Sequence, residues 1–440
     1  MQMQGRSLTE FLESSPLTRF HYTLLGIGSL VYCLTAMNTM LIAAVMLPIS
    51  KEWSLDPVTI GFLFSSGYVG MFIGAITCGV LADLIGRKKT LLIVVTVMSL
   101  FTASCSVAWD VISMAFLRFL AGIGLGGTLP QPGIYVSEYV PARHRGKFIG
   151  FIETCWVYGA LLSLLFPYFF IRVYGWRLTF LIALIPLLLI PFILAYVPES
   201  IRYLERRGRI NQALNILRKY GIVPSDVEVS HVSVGQRRIS IGEMLSQTYL
   251  KRTVLLWILW AVLVYTYHGI FLWLPTIYAK EFGLGDVKSL WWTLVVTLFQ
   301  IPGYYLATFL LDPVGRKPVL ISFLSLAGTG CLFLSLGVEL NWILLWSCVI
   351  SFFNLGSWAA LYTYTPELYP TRMRGAGSGI AASVGRLAGI LAPTVTGHLY
   401  KTVGLFGPFM VFAFAHLLAA LSVLILGVET RRRRLEEISR

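Results

Sequence analysis

Three ionisable side chains lie deep inside long apolar stretches of this 440-residue chain: Arg118, Glu153 and Arg386. An ionisable group inside a lipid bilayer costs at least ~3 kcal/mol on insertion scales, so it requires a partner or a water-filled cavity. A guanidinium binds a carboxylate through two parallel hydrogen bonds, and a carboxyl group in such a place can take up and release a proton. These residue types predict anion binding and proton exchange.

Each of the three residues has a structural alternative. Arg386 would then pair with a carbonyl group or an acid of another segment, and Glu153 would form a fixed ion pair with a basic group of the first half. Arg118 would be a hydrogen-bonding hub, or the partner that keeps Glu153 ionised. Arg386 lies about 16 Å along its segment, which is near the middle of a bilayer, so we expect it to anchor an anionic substrate. We expect Glu153 to carry the proton.

The composition is that of a membrane protein. The chain is 56% hydrophobic and 13% charged, whereas soluble domains carry about 25% charged residues. Twelve segments are long enough to cross a bilayer. They are 22–47, 59–82, 90–108, 111–138, 147–170, 177–197, 253–279, 288–311, 318–337, 342–364, 376–400 and 405–427.

The segments predict an all-α integral membrane protein with twelve transmembrane helices in two six-helix bundles. Residues 1–197 form the first bundle and 253–427 the second. Residues 198–252 form a cytoplasmic linker with short amphipathic helices, and 428–440 form a basic cytoplasmic tail.

A charged loop recurs at half the chain length. Asp83-Leu-Ile-Gly-Arg-Lys88 in the first half corresponds to Asp312-Pro-Val-Gly-Arg-Lys317 in the second, which indicates two copies of one bundle. We expect these loops and the hairpins after them to stabilise one of two relative orientations of the bundles. They would do so by ion pairs, for example between Asp83 and Arg145, or by capping helix N-termini. Solvated loop charge is the alternative. The residues concerned are Asp83, Arg87, Glu138, Arg143, Arg145, Asp312, Arg316, Glu367 and Arg372.

The distribution of basic residues predicts the orientation. With both termini in the cytoplasm, 27 Lys and Arg residues lie on the inner side, 6 in outer loops and 2 within segments. This bias follows the rule that cytoplasmic loops are positive and predicts a multi-pass plasma-membrane protein. The net charge of +14 is therefore explained by membrane orientation, and we expect no nucleic-acid partner.

Aromatic and polar side chains of several segments are candidates for the walls of a substrate site, because aromatic faces stack and their polar edges orient a ring. Packing or lipid contact is the alternative for each of them. With Arg386, the substrate candidates are Asn38, Gln131, Trp156, Tyr265, His268, Trp273, Asn354, Trp358 and Tyr362.

No pattern predicts an enzyme, a cofactor or a metal site. Gly122-Ile-Gly-Leu-Gly-Gly127 satisfies G-x-G-x-x-G, but a dinucleotide site needs a preceding strand, and this motif lies inside an apolar segment where it predicts helix packing. The six cysteines have neither metal-ligand nor redox spacing.

Three motifs resemble the major facilitator superfamily across essentially the whole chain. These are Gly79-x-Leu-Ala-Asp83-x-x-Gly-Arg-Lys88, Arg118-Phe-Leu-Ala-Gly-Ile-Gly124 and Pro198-Glu-Ser-x-Arg202. The stretches Tyr364-Thr-Pro-Glu-Leu-Tyr-Pro-Thr-Arg372 and Gly385-Arg386-x-x-Gly389 are most similar to the metabolite–proton symporter branch and there to nicotinate permeases. The resemblance implies a role for Arg118 in coupling. It departs at Asn38, where relatives often carry aspartate.

The expected function is proton-coupled symport of a small organic anion, nicotinate-like or another aromatic monocarboxylate, by alternating access. A monomer, a small-molecule substrate, protons and the lipid bilayer are the expected participants. The alternatives are a sugar or polyol:proton symporter, an organic-ion carrier without proton coupling, and a relative that has lost transport and acts as a receptor.

Overall fold

The chain is described by a computed structural model in which residues 12–13, 15–222, 241–370 and 373–431 can be described. These residues form helices and loops without a β-strand. Eleven helices are long and apolar enough to cross a membrane. One of them, Arg143–Tyr196, has 54 residues and corresponds to two of the predicted segments. Gly175 at φ 70° interrupts it, so it forms two successive transmembrane helices. The twelve-helix prediction is confirmed.

The twelve transmembrane helices are numbered in chain order. They are α1 (Arg19–Glu52), α2 (Pro57–Ile85), α3 (Arg87–Ser104), α4 (Val111–Thr128, then Gln131–Tyr139), α5 (Ala142–Thr179), α6 (Phe180–Leu189 as a 3₁₀ helix, then Ile190–Tyr196), α7 (Leu250–Phe271, then Leu274–Phe282), α8 (Asp286–Leu298, then Gln300–Leu311), α9 (Arg316–Ser335), α10 (Leu340–Glu367), α11 (Arg374–Val403) and α12 (Phe406–Leu426). Between α6 and α7 lie the short helices Ile201–Arg206, Ile210–Lys219 and Ile241–Met244.

Alternating passes place the starts of α1, α3, α5, α7, α9 and α11 at one end of the molecule, which we call the terminal end. The other end is called the opposite end. Two of the helices that start there have side-chain caps: Asp56 accepts from Thr59 N at 2.9 Å before α2, and Asp110 accepts from Ser113 N at 2.7 Å before α4. These oxygens satisfy N–H groups that the first helical turn leaves without a partner.

The two halves use the same helix pairs. In the first half α2 packs on α4 and α1 on α5, and in the second half α8 packs on α10 and α7 on α11. The halves meet where α2 packs on α11 and α5 on the first part of α8. The structure is therefore a duplicated bundle whose central space is lined by helices of both halves.

Glycines allow α2 and α4 to approach closely. A Cβ atom on Gly70 would lie 2.0 Å from Phe119 O, and one on Gly126 would lie 1.9 Å from Met71 O. Lipid chains are as apolar as the surfaces of the helices, so the hydrophobic effect does not drive helices together in a bilayer. Helices in lipid associate instead through close packing, which small residues such as glycine allow. The G-x-G-x-x-G motif is thus part of a helix crossing.

This contact generates a stability prediction. Gly74→Ala places a Cβ 2.0 Å from Ile123 O, and since a backbone atom cannot move away easily, we expect a loss of about 1–3 kcal/mol and less folded protein. Gly79→Ala is the matched control, because Gly79 lies on the same helix with no atom within 4 Å of its Cβ position. Thermal unfolding of the detergent-solubilised variants measures the difference; equal melting temperatures would contradict the close packing.

Candidate functional site

A cavity of about 260 Å³ lies between the halves. This size suits a small organic molecule and is just below the range of about 300–1,000 Å³ that is typical of drug-sized ligands. Helices α1, α2, α4 and α5 of the first half and α7, α8, α10 and α11 of the second form its walls. The lining residues are Tyr32, Tyr68, Met71, Leu129, Pro130, Glu153, Trp156, Val157, Trp260, Val264, Tyr267, His268, Tyr304, Leu355, Trp358, Tyr362, Ala382 and Arg386.

Glu153 is the carboxylic acid of this lining and Arg386 is its guanidinium. Glu153 comes from α5 and Arg386 from α11, so the two halves contribute opposite charges. No acid among the described residues forms an ion pair with Arg386; the groups that act on its guanidinium are the hydroxyls of Tyr362 and Tyr32. Arg386 is therefore a cation in an aromatic cavity, and no acid among the described residues neutralises it through an ion pair.

Two tyrosine hydroxyls connect the acid of the first half with the second half. Tyr32 of α1 donates a hydrogen bond to Glu153 Oε2. The hydroxyl of Tyr362 of α10 lies close enough to Tyr32 and Glu153 to interact with both electrostatically. Because Tyr32 and Tyr362 also face Arg386, a change in charge at Glu153 or at Arg386 acts on the same hydroxyls.

Two aromatic groups border the cavity. Trp358 of α10 lies edge-on to Trp260 with centroids 5.6 Å apart, and 5.4 Å from Tyr362. On the other side Trp156 of α5 donates through Nε1 to the Tyr267 hydroxyl at 2.8 Å, across the boundary between the halves. Such surfaces accept a flat ring by stacking or edge contact. The structure thus brings Trp156, His268, Trp358 and Tyr362 together with Arg386.

Two candidates with amide side chains lie away from the cavity. Asn354 is fully buried and uses Nδ2 to contact Thr266 Oγ1 at 3.1 Å and His416 Nε2 at 3.0 Å, which joins α10 to α7 and α12. Asn38 donates to Ala183 O of α6 at 3.2 Å. Both amides hold helices of one half together, which differs from the expectation of substrate contact.

Tyr265, Trp273 and Gln131 also lie outside the lining. The Tyr265 ring packs edge-on against Phe412, and Trp273 packs edge-on against Phe64 at 5.7 Å. Gln131 is buried at the start of the second part of α4. The chemistry of these side chains would suit a substrate site, but they lie on helix faces that point away from the cavity.

Arg118 is buried behind the cavity wall. Only 2% of the side chain is exposed, and Nε and Nη1 have no hydrogen-bond partner among the described residues. Its guanidinium lies against the backbone of α2, since a Cβ on Gly67 would be 3.1 Å from Nη2. Its electrostatic neighbours are Cys105 and Tyr68, so the alternative in which Arg118 pairs with Glu153 is not found in this structure.

The repeated loops are held by acids that the motif does not contain. Glu199 accepts hydrogen bonds from Arg87 N at 2.7 Å and Lys88 N at 3.1 Å at the start of α3. Glu429 does the same for Arg316 N at 3.1 Å and Lys317 N at 3.0 Å at the start of α9. An acid at a helix N-terminus is stabilising. The sequence signal for Glu199 and Glu429 is their nearly equal spacing from the two loops, 112 and 113 residues.

The arginines of the two loops pair within their own half. Arg87 Nε lies 2.7 Å from Glu138 Oε1, and Arg316 contacts both oxygens of Glu367 at 3.1 and 3.2 Å. The Asp312 side chain is 90% exposed and contacts Arg316 at 3.2 Å.

The remaining predicted ion pairs are formed with other partners. Asp83 contacts Arg206 of the linker at 3.4 Å, so the expected pairing with Arg145 is replaced. Arg145 contacts Glu13 at 2.6 Å, and Arg143 donates to Ser15 O at 3.5 Å. Arg372 lies outside the described residues. The sequence did not indicate these partners because they lie in the linker and in the N-terminal segment, far from the hairpins.

Comparison with known proteins places this geometry in a family. The family model of the Major Facilitator Superfamily matches residues 28–393 and 289–439. The chain belongs to the major facilitator superfamily. A niacin transporter, NiaP of Acinetobacter baylyi, is 38% identical over 98% of this chain and 99% of its own length. A putative niacin/nicotinamide transporter of Bacillus subtilis is 32% identical over 94% and 97% of the two chains, and a benzoate transport protein of Acinetobacter baylyi is 26% identical over 89% and 86%.

Solved structures of the superfamily have the same fold. The partially occluded inward-open xylose transporter XylE of E. coli superimposes with a TM-score of 0.76 at 20% identity, covering 95% of this chain and 100% of that one. The protein is therefore a multi-pass membrane protein and a secondary transporter for a small organic substrate, not an enzyme.

Within the superfamily fold, several polar contacts join the halves near the opposite end. Ser65 of α2 donates to Ile390 O of α11 at 2.6 Å. Lys51 pairs with Asp286, and Lys401 pairs with Asp56 at 2.7 Å, each across the boundary between halves. The Lys401 ammonium, which donates to Asp56, holds the pKa of that exposed carboxyl below its usual range. These contacts, which sequence reasoning missed, close the cavity towards the opposite end.

The cap on α9 generates a second prediction. Glu429→Ala removes the acceptor for two N–H groups, and we expect a loss of about 0.5–2 kcal/mol, seen as a lower melting temperature of the purified protein. Asp312→Ala is the control, because an exposed i,i+4 pair contributes only a few tenths of a kcal/mol. A Glu429 variant that melts with the wild type would show that the cap contributes nothing.

Proposed function

We propose that this transporter carries a small aromatic monocarboxylate, of which nicotinate is the leading example. The observation that carries this proposal is Arg386, whose guanidinium faces the cavity and forms no ion pair with any acid among the described residues. A carboxylate bound there neutralises the charge through two parallel hydrogen bonds, which a neutral sugar does not offer.

The walls of the cavity and the relatives support the same substrate class. Trp358, Tyr362 and Trp156 offer ring faces and edges around the guanidinium. Niacin and benzoate, named in the relatives, are both single aromatic rings with one carboxyl group. A ring of this size suits the volume between the two aromatic groups.

Proton coupling through Glu153 is part of the proposal. Glu153 faces the same cavity as Arg386, and the hydroxyls of Tyr32 and Tyr362 act electrostatically on both. A second negative charge entering the cavity is unfavourable while Glu153 is ionised, because like charges repel strongly at low dielectric. Protonation of Glu153 removes that repulsion and links substrate uptake to a proton.

We further propose that the protein lies in the plasma membrane with both termini in the cytoplasm. The excess of basic residues at the terminal end supports this orientation. The conformation described here, closed at the opposite end, would then face inward. We also propose that the transporting unit is a monomer, because helices from both halves of one chain are enough to form the cavity.

Substrate binding is tested first. We expect purified wild-type protein to bind nicotinate and to bind the neutral amide nicotinamide much more weakly. Arg386→Ala should weaken nicotinate binding by about 10- to 100-fold, because a charge-assisted hydrogen-bond pair contributes about 1.5–3 kcal/mol. Isothermal titration measures both ligands. Binding of a hexose with no response to carboxylates would refute the proposal.

Coupling is tested in proteoliposomes. Glu153→Gln retains shape and hydrogen bonding but cannot ionise, so nicotinate uptake should no longer respond to an inside-alkaline gradient. Exchange of internal for external nicotinate should continue, and this serves as the control for a folded, binding-competent variant. Uptake by the variant that still follows the proton gradient would exclude Glu153 as the coupling group.

A further inference from the structure

Two polar atoms in the cavity lining have no hydrogen-bond partner among the described residues: the Tyr68 hydroxyl and His268 Nε2. Their side chains are only 6% and 8% exposed. Tyr68 comes from α2 and His268 from α7, and their rings lie edge-on with centroids 4.6 Å apart. A buried polar atom without a partner costs about 1–3 kcal/mol, so this pair marks a place where a ligand atom would be stabilised.

The roles of the two atoms differ. His268 Nδ1 lies 2.9 Å from Val264 O, and a carbonyl accepts only, so Nδ1 carries the hydrogen. His268 Nε2 is therefore an acceptor in the neutral ring. The Tyr68 hydroxyl is left as the hydrogen-bond donor of the pair.

Arg118 favours this donor role. Its guanidinium lies against Gly67, next to Tyr68 in α2, and its charge acts on the Tyr68 hydroxyl. A nearby positive charge strengthens an O–H group as a donor and weakens its oxygen as an acceptor. Arg118 therefore acts on the cavity through Tyr68 without reaching the cavity itself.

The pair lies one helical turn from the proposed carboxylate anchor. A Cβ on Gly389 would be 3.6 Å from the Tyr68 ring and 4.0 Å from His268 Nδ1. Gly389 follows Arg386 by three residues on α11, and residues at that spacing lie on the same helix face. Side chains on a helix lean towards its N-terminus, so the guanidinium lies on the terminal side of this pair. One aromatic ring can therefore extend from Arg386 towards Tyr68.

We propose that the Tyr68 hydroxyl is a specificity-determining group that donates a hydrogen bond to a ring nitrogen of the substrate whose carboxylate is bound by Arg386. The inference rests on the proposed function and adds to it that the carrier distinguishes pyridine carboxylates from benzene carboxylates. His268 Nε2 offers nothing to a pyridine nitrogen, since both atoms are acceptors.

Nicotinate and benzoate test this assignment, because they differ by one ring nitrogen in place of C–H. We expect wild-type protein to bind nicotinate about three- to tenfold more tightly than benzoate, the usual range for one neutral hydrogen bond. Tyr68→Phe should remove the difference by weakening nicotinate alone. Tyr265→Phe on α7 is the matched control and should retain the preference, since its ring packs on Phe412. Isothermal titration measures the six affinities.

The outcomes separate the two proposals. Equal wild-type affinities, a preference that survives Tyr68→Phe, or equal weakening of both ligands by that variant would each overturn the role of Tyr68 while leaving an aromatic carboxylate carrier intact. Wild-type protein that binds neither carboxylate would overturn the proposed function itself. Size-exclusion chromatography of Tyr68→Phe checks that the loss of one hydroxyl leaves the fold unchanged.

Discussion

The arrangement of this transporter depends on one unneutralised guanidinium at the boundary between its halves. A charge in a low-dielectric interior needs a counter-ion, a dipole or water. Arg386 has tyrosine hydroxyls beside it and no described acid paired with it, while the acid of the cavity, Glu153, is bound by Tyr32. An anionic cargo completes the electrostatics of the site, and the walls around it provide aromatic surface.

The two halves have the same architecture, although they contribute opposite charges to the cavity. Glu199 and Glu429 cap equivalent helices, and Tyr139 and Tyr364 donate to the backbone beside them at 2.6 and 2.7 Å. Both halves therefore stabilise the terminal end in the same way, with a glutamate that caps a helix and a tyrosine that donates to the backbone beside it. They differ where chemistry is needed: the first half presents an acid and the second a base. Opposite contributions make the cavity sensitive to how closely the halves approach.

Buried polar residues divide into those that hold helices and those that face the cavity. Asn354 and Asn38 each use the amide nitrogen to join helices of one half, whereas the Tyr68 hydroxyl and His268 Nε2 lie in the cavity lining without a partner among the described residues. Residue type does not separate these groups, because amides and hydroxyls both cost free energy to bury without a hydrogen bond. The helix face and the neighbouring helix decide which role each residue takes.

The sequence by itself determined the twelve segments, the duplication, the family and the two charges of the cavity. Those follow from segment length, repeat spacing and the cost of burying charge, which need no neighbours. Only the tertiary structure decided that Tyr32 and Tyr362 join Glu153 to the second half, that Tyr265 and Trp273 pack away from the cavity, and that Lys401 meets Asp56. Such contacts depend on the rotation of each helix about its axis and on partners up to 345 residues apart, which local patterns do not contain.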